Sequence, residues 1–172
     1  MARGRAARLR VGTLMVAAVP GVARVELHPI GIDEARRILG GTPAPHDRWA
    51  PDYPFVDELD VLRGFVEHPR DAPFGLYAIR RLADGLLVGG IGFFGPPRDG
   101  VAELGFGLVE SARGRGFARE ALTAAIRIAL SNGATSVIAD AAIDNHASHA
   151  TMRGAGMVEL RRDAELVYFG TA

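Results

Sequence analysis

The chain has 172 residues, 48% of them apolar, and its 20 basic and 20 acidic side chains give a formal net charge of zero. That length suits one domain with a real core, and the missing basic excess argues against a general nucleic-acid or membrane-surface binder. There is no lysine and no cysteine, which excludes a Schiff-base lysine, a Walker-type phosphate lysine, thiolate nucleophiles, disulfides and cysteine metal sites.

The first ten residues carry four arginines, and Val11 to Ala23 is mostly apolar and ends in small residues. This has the layout of a secretory leader, but the apolar run is short and Pro20 and Gly21 interrupt it. Residues 1–22 are therefore expected to be a flexible or weakly ordered leader, with a signal peptide as the other reading, and residues 23–172 the domain. No run is long enough for a membrane-spanning helix. With a cysteine-free chain permitting a reducing compartment, a cytoplasmic location is expected.

Arg24 to Pro29 alternates and predicts a first strand. Asp33 to Leu39 predicts a short helix stopped by Gly40-Gly41. Thr42 to Pro54 is proline-rich, predicts an irregular loop, and holds the only tryptophan, Trp49. Val56 to His68 predicts a second helix, with Val61, Leu62, Phe65 and Val66 at helical spacing. Three strands follow at 75–81, 86–94 and 101–109, closely spaced as in an antiparallel meander. Gly116 to Ser131 predicts a strong amphipathic helix with Ala118, Ala121, Leu122, Ala125, Ile126, Ala129 and Leu130 on its apolar face. A strand at 136–141, a short helix at 146–153 and strands at 157–160 and 165–169 complete an α/β domain with a mixed sheet.

Chemistry concentrates between Val101 and Ala118. Strand alternation puts Ala102, Leu104, Phe106 and Leu108 on a core face. The opposite face carries Glu103 beside Gly105 and Gly107, and glycines within a strand mark a bulge or a close approach by a ligand or backbone. The segment Arg113-Gly114-Arg115-Gly116-Phe117-Ala118 lies between this strand and the strong helix. Glycines let successive N–H groups converge, and the helix N-terminus adds free donors and partial positive charge. That arrangement suits a phosphate or pyrophosphate, with Arg113 and Arg115 as added charge. Simple capping with solvated arginines is the other reading. A dinucleotide fingerprint fails because Arg119 stands where its third glycine belongs.

Arg113-x-x-Gly116-x-Ala118 resembles the Arg/Gln-x-x-Gly-x-Gly/Ala loop of the GNAT superfamily of coenzyme A-dependent N-acetyltransferases. Asn145-x-x-Ser148 followed by a short helix and Gly156-Met157 resembles that family's later motif. The Asn-x-x-Ser form and the early Pro-rich loop are similar to the branch containing ribosomal-protein N-terminal acetyltransferases. The resemblance implies a single-domain acyl-CoA N-acyltransferase fold, with a mostly antiparallel sheet flanked by helices. It implies acetyl-CoA as cosubstrate and an amine acceptor, either a small molecule or a protein N-terminus. A non-catalytic coenzyme A-binding sensor is the alternative, and a homodimer is open.

By the same resemblance, the amides of Arg113, Gly114, Arg115, Gly116, Phe117 and Ala118 hold the pyrophosphate. The strand end at Leu108 and Val109 pairs with the pantetheine arm, and a backbone N–H near Val109 serves the oxyanion. Asn145 and Ser148 contact the cofactor, with N-capping of the short helix as their plain structural reading. Glu103 is the candidate base, because burial near the cleft would raise its pKa toward a useful range. Two positions depart from the family. Met152 stands where many relatives have a tyrosine acid, so Ser148 or a water is the candidate substitute; Gly154 stands at a usual lysine, with Arg153 as a compensating cation. Trp49, Asp52 and Tyr53, with Asp57 and Glu58 nearby, are aromatic and acidic groups suited to a cationic amine, although a lone tryptophan also simply packs on a core. His46, His146 and His149 lack metal-site spacing, so no metal is expected.

Overall fold

Seven strands share one sheet in the order β1-β2-β3-β4-β5-β7-β6. The computed structural model describes residues 23–172; the expected leader, 1–22, lies outside them. The elements are β1 (Val25–Pro29), α1 (Ile32–Gly40), α2 (Val56–Glu67), β2 (Leu76–Arg81), β3 (Leu87–Phe93), β4 (Val101–Leu108), α3 (Phe117–Ser131), β5 (Ser136–Ala142), α4 (His146–Gly154), β6 (Val158–Arg162) and β7 (Leu166–Gly170). Every neighbouring pair is antiparallel except β4–β5. A parallel pair needs a crossover, and α3 supplies it. The expected α/β fold with a mostly antiparallel sheet and flanking helices is the one observed.

Helix α3 packs on β1, β3, β4 and β5, burying Ala121, Leu122, Ala125, Ile126, Ile128 and Ala129. Its apolar stripe is rotated slightly from the expected one, so Leu130 is exposed and Ile128 is buried. Helices α1 and α2 pack together. They cover the opposite face of β2 to β4, where Phe55 rests on Gly107 and Glu58 on Gly90. The core holds Phe93, Leu104, Val137 and Phe169 from the sheet, each essentially fully buried.

The proline-rich loop after α1 has no regular element, as expected, yet it is pinned. Asp47, 1% exposed, accepts from Arg37 Nε at 2.8 Å and Nη2 at 2.7 Å, and from the Ala44 amide at 2.7 Å. Arg80 of β2 donates to the Asp47 carbonyl at 2.8 Å. Further along, Leu87 donates to the Arg48 carbonyl at 2.9 Å and accepts from Ala50 at 3.0 Å. The loop thus joins the sheet beside Trp49.

The Arg37 guanidinium holds the Asp47 carboxyl down to about 2. Its folded pKa lies below the unfolded value, so its stabilisation is complete above about pH 4 and is lost as the pH falls toward 2. The contribution is about 2 kcal/mol. Urea denaturation from pH 5 to pH 2.5 should show this loss in the native chain, and Asp47→Asn should flatten it.

Candidate functional site

Strand β4 is paired with β3 from Leu104 to Leu108 but with β5 only at Val101, Ala102 and Glu103. Beyond Glu103 the two parallel strands separate. Phe94 donates to the Glu103 carbonyl at 3.0 Å, and Val109 donates to the Val88 carbonyl at 2.9 Å. Odd-numbered residues of β4 therefore direct their amide groups toward β3, and by alternation Phe106 and Leu108 direct theirs into the gap. The Leu108 carbonyl there accepts from Arg113 Nε at 3.1 Å. The gap is a wedge with its apex at Glu103 and an unpaired strand edge along one wall. One expectation is corrected here: the Val109 N–H serves the β3–β4 ladder and is not a free donor, so the edge donors are those of Phe106 and Leu108.

At the wide end the chain turns through Glu110–Ala112, a 3-10 turn not expected from the sequence, and enters the glycine loop. Gly114 has φ 72° and Gly116 φ 81°. This left-handed backbone is strained for residues with a side chain. Among the described residues, the amides from Gly114 to Arg119 have no protein acceptor; the next, Glu120, returns to the Gly116 carbonyl at 3.2 Å. Six consecutive donors thus lie at the N-terminus of a 15-residue helix. Unpaired amides at a helix N-terminus are an anion site. The residues fit a diphosphate beside an extended chain that runs along the edge of β4.

Arg24, just before β1, joins this end, a placement the sequence did not suggest. Its guanidinium lies over the Phe117 ring at 5.3 Å, and its Nε donates to Glu120 at 2.6 Å. Across the wedge, the Asn145 side chain accepts from the Ser148 amide at 3.1 Å, so Asn145 caps α4. Asn145 is exposed and Ser148 half-buried. Met152 is fully buried. Gly154 makes room for α3, because a Cβ there would lie 2.9 Å from Arg119 Cδ. Arg153 is engaged with Glu159 at 3.1 Å and stacked on Phe169. It therefore turns away from the loop and does not compensate for the absent lysine.

The three residues expected to receive the acceptor separate. Asp52 accepts from Ser111, from the amide at 2.9 Å and from the hydroxyl at 2.7 Å, and clasps the turn after β4. These bonds lower its pKa. Trp49 packs edge-on to Tyr53, centroids 5.7 Å apart, and is half-buried against the core. It lines neither of the two concavities found on this face. Tyr53 is buried beside Glu58, with its hydroxyl unpartnered.

Glu103, the expected base, stands at the wedge apex and is exposed. The buried carboxyl is Glu58, 6% exposed, on α2. Burial pushes its pKa up to about 7, with a smaller opposing effect from Tyr53. Its Oε2 has no hydrogen-bond partner. Glu58 forms part of the wall of a cavity of about 200 Å³ between α2 and the glycines of β3 and β4. A Cβ at Gly90 would collide with Glu58 Oε1. The sequence held a signal for this: Glu58, Leu62 and Phe65, four and three residues apart, form the buried stripe of α2.

A folded pKa raised above the unfolded value favours folding at low pH. The Glu58 contribution is complete below about pH 4.5 and is lost as the pH rises through about 7, a change of about 3 kcal/mol. Glu58→Gln should remove this slope from urea-denaturation stabilities measured between pH 4.5 and 8.

A family model described as an acetyltransferase (GNAT) domain matches residues 24–158. No curated protein sequence matches the chain. Among solved structures, a GNAT-family acetyltransferase from Bacillus anthracis aligns with TM-score 0.63 and 17% identity, covering 87% of this chain and 95% of that one. A spermidine N-acetyltransferase chimera from Vibrio cholerae and hSSAT gives 0.62 and 14%, again covering 87% and 95%. A ribosomal-protein-S5-alanine acetyltransferase from Vibrio fischeri gives 0.60 and 13%, covering 88% and 94%. At these identities the likeness is one of fold.

Proposed function

We propose that this chain, which belongs to the GNAT acetyltransferase family, transfers the acetyl group of acetyl-CoA to a primary amine by direct attack. The observation that carries the proposal is the run of acceptor-free amides from Gly114 to Arg119 at the wide end of the wedge. Those amides, with Arg113 and Arg115, would hold the pyrophosphate. The free edge of Phe106 and Leu108 would pair with the amides of the pantetheine arm, and Asn145 and Ser148 would flank it. Bound there, the cosubstrate supplies an activated thioester in the narrow part of the gap. Neighbours of the same fold bear the names of a spermidine acetyltransferase and a ribosomal-protein acetyltransferase. An amine acceptor is consistent with both.

The chemistry asked of the protein is modest. An alkyl ammonium has a pKa of about 10 and must lose a proton before it can attack. Once neutral, the nitrogen adds to the thioester carbonyl carbon and forms the C–N bond. The C–S bond then breaks, its electron pair leaves on sulfur, and the second nitrogen proton goes to that thiolate. Edge amides of β4 are the donors available to the oxyanion. A thiolate is a tolerable leaving group, so Met152 in place of an acid is compatible with turnover. Two carboxylates lie on this face of the strands, Glu103 at the apex and Glu58 under α2.

Acetyl-CoA at a hundredfold over its dissociation constant should stabilise the fold by about 2.7 kcal/mol. That corresponds to a rise in Tm of about 5–10 °C, with no rise from NAD or ATP. Gly116→Val, which forces a β-branched residue into φ 81°, should cut this shift by at least half. Thiol release with a panel of amines then tests turnover. Stabilisation without turnover of any amine would leave a coenzyme A-binding module, and no stabilisation would overturn the reading.

A further inference from the structure

The cavity beneath α2 is a built site with an unmet need. Its floor is peptide backbone: Gly90 and Gly92 of β3 face Gly107 and Gly105 of β4. Missing side chains let neighbours settle on the sheet. A Cβ at Gly107 would lie 2.6 Å from the Phe55 ring, and one at Gly105 would lie 3.3 Å from Phe94. Phe55, Phe94, Val61 and Leu76 make the walls apolar. Into this space projects the carboxyl of Glu58, with one oxygen seated over Gly90 and the other unpartnered. A buried acceptor without a donor is costly and rare.

We propose that this cavity receives the acceptor, that the acceptor is an amine with one positive charge on a compact apolar body, and that Glu58 takes its ammonium. The inference rests on the acetyl-transfer reading above and deepens it. Size sets the body: an apolar cavity of about 150 Å³ admits benzene, so about 200 Å³ takes one aromatic ring with a short alkyl arm. Charge sets the head group. No cationic side chain lines the cavity, and its only other acid is Asp57, exposed at the rim. A polyamine would need further carboxylates along its length, and a polyhydroxylated amine would need polar partners that the walls lack.

The groups facing Glu58 are few. Tyr53 comes from the proline-rich loop with its own hydroxyl unpartnered. Asp57 comes from the same helix. Glu34 of α1 and Arg80 of β2, paired at 3.3 Å, stand near Tyr53. The sheet beneath presents only glycine backbone. A carboxyl held up by burial is matched to proton removal near neutral pH. It takes one of the two protons the nitrogen must lose, returns it to solvent after turnover, and the departing thiolate takes the other. Strand β4 borders both: its Gly105 and Gly107 floor the cavity, and its edge beyond Glu103 lines the wedge.

The test compares phenethylamine, ethylamine and spermidine with the native chain, Glu58→Gln and Val61→Phe. The native chain should favour phenethylamine over spermidine in kcat/KM, with an acid limb near pH 7. Glu58→Gln should keep the acetyl-CoA thermal shift, lose about a hundredfold or more in kcat/KM and lose the acid limb. Val61→Phe should raise KM for phenethylamine at least tenfold more than for ethylamine. Spermidine as the better acceptor would overturn the proposal. So would an unchanged pH profile in Glu58→Gln, or loss of the limb in Glu103→Gln instead. No acetyl-CoA shift in the native chain would remove the transfer reading itself, an outcome distinct from all of these.

Discussion

Strand β4 is paired along one edge from Leu104 to Leu108 and along the other only from Val101 to Glu103. A mid-sheet strand that stays half-paired is unusual, because unmatched backbone groups are costly away from water. Here the unmatched edge opens onto the gap between β4 and β5. β5 leaves β4 beyond Glu103, the crossover through α3 fixes where the two strands start together, and the chain leaving β4 must turn at the wide end of the gap. The glycine loop sits at that turn. Wedge, turn and helix N-terminus are consequences of one parallel pairing that is abandoned early.

The opposite face of the same strands follows a second rule. Four glycines of β3 and β4, at 90, 92, 105 and 107, remove the side chains that would hold α2 off the sheet. Glycine weakens a strand, so the stretch is held by what settles on it: Phe55, Phe94 and the Glu58 carboxyl. The result is a shallow apolar space with one buried acid, placed one strand away from the wedge. Burial of that acid disfavours its charged form, a local cost to folding that a merely structural helix would avoid with leucine.

Much of this was legible in the sequence. All strands and helices fall within a residue or two of their expected bounds, because periodicity, caps and turn residues are local signals. The loop Arg113–Ala118 was legible for the same reason: glycines beside a strand end and a helix start mark it without tertiary knowledge. What was not legible depends on partners distant in sequence. Asp52 looked like an acceptor group and instead holds Ser111, 59 residues away. Arg119 occupies the space that Gly154 leaves. The strand alternation that placed Glu103 on the glycine face was right, but whether that position is covered depends on where α2 lands, and it lands over Gly90. Glu58 carried a readable sign, its place on the apolar stripe of its helix, that was outweighed by the acidic neighbours around it.

The Asp52–Ser111 clasp joins the loop that borders Glu58 to the turn that opens the glycine loop. Two surfaces tied by a pair of charge-assisted bonds fluctuate as one body. Ordering of the turn would therefore be passed to the loop through these two bonds. Were the turn to hold one ligand and the loop another, the two sites would be mechanically linked without a moving lid.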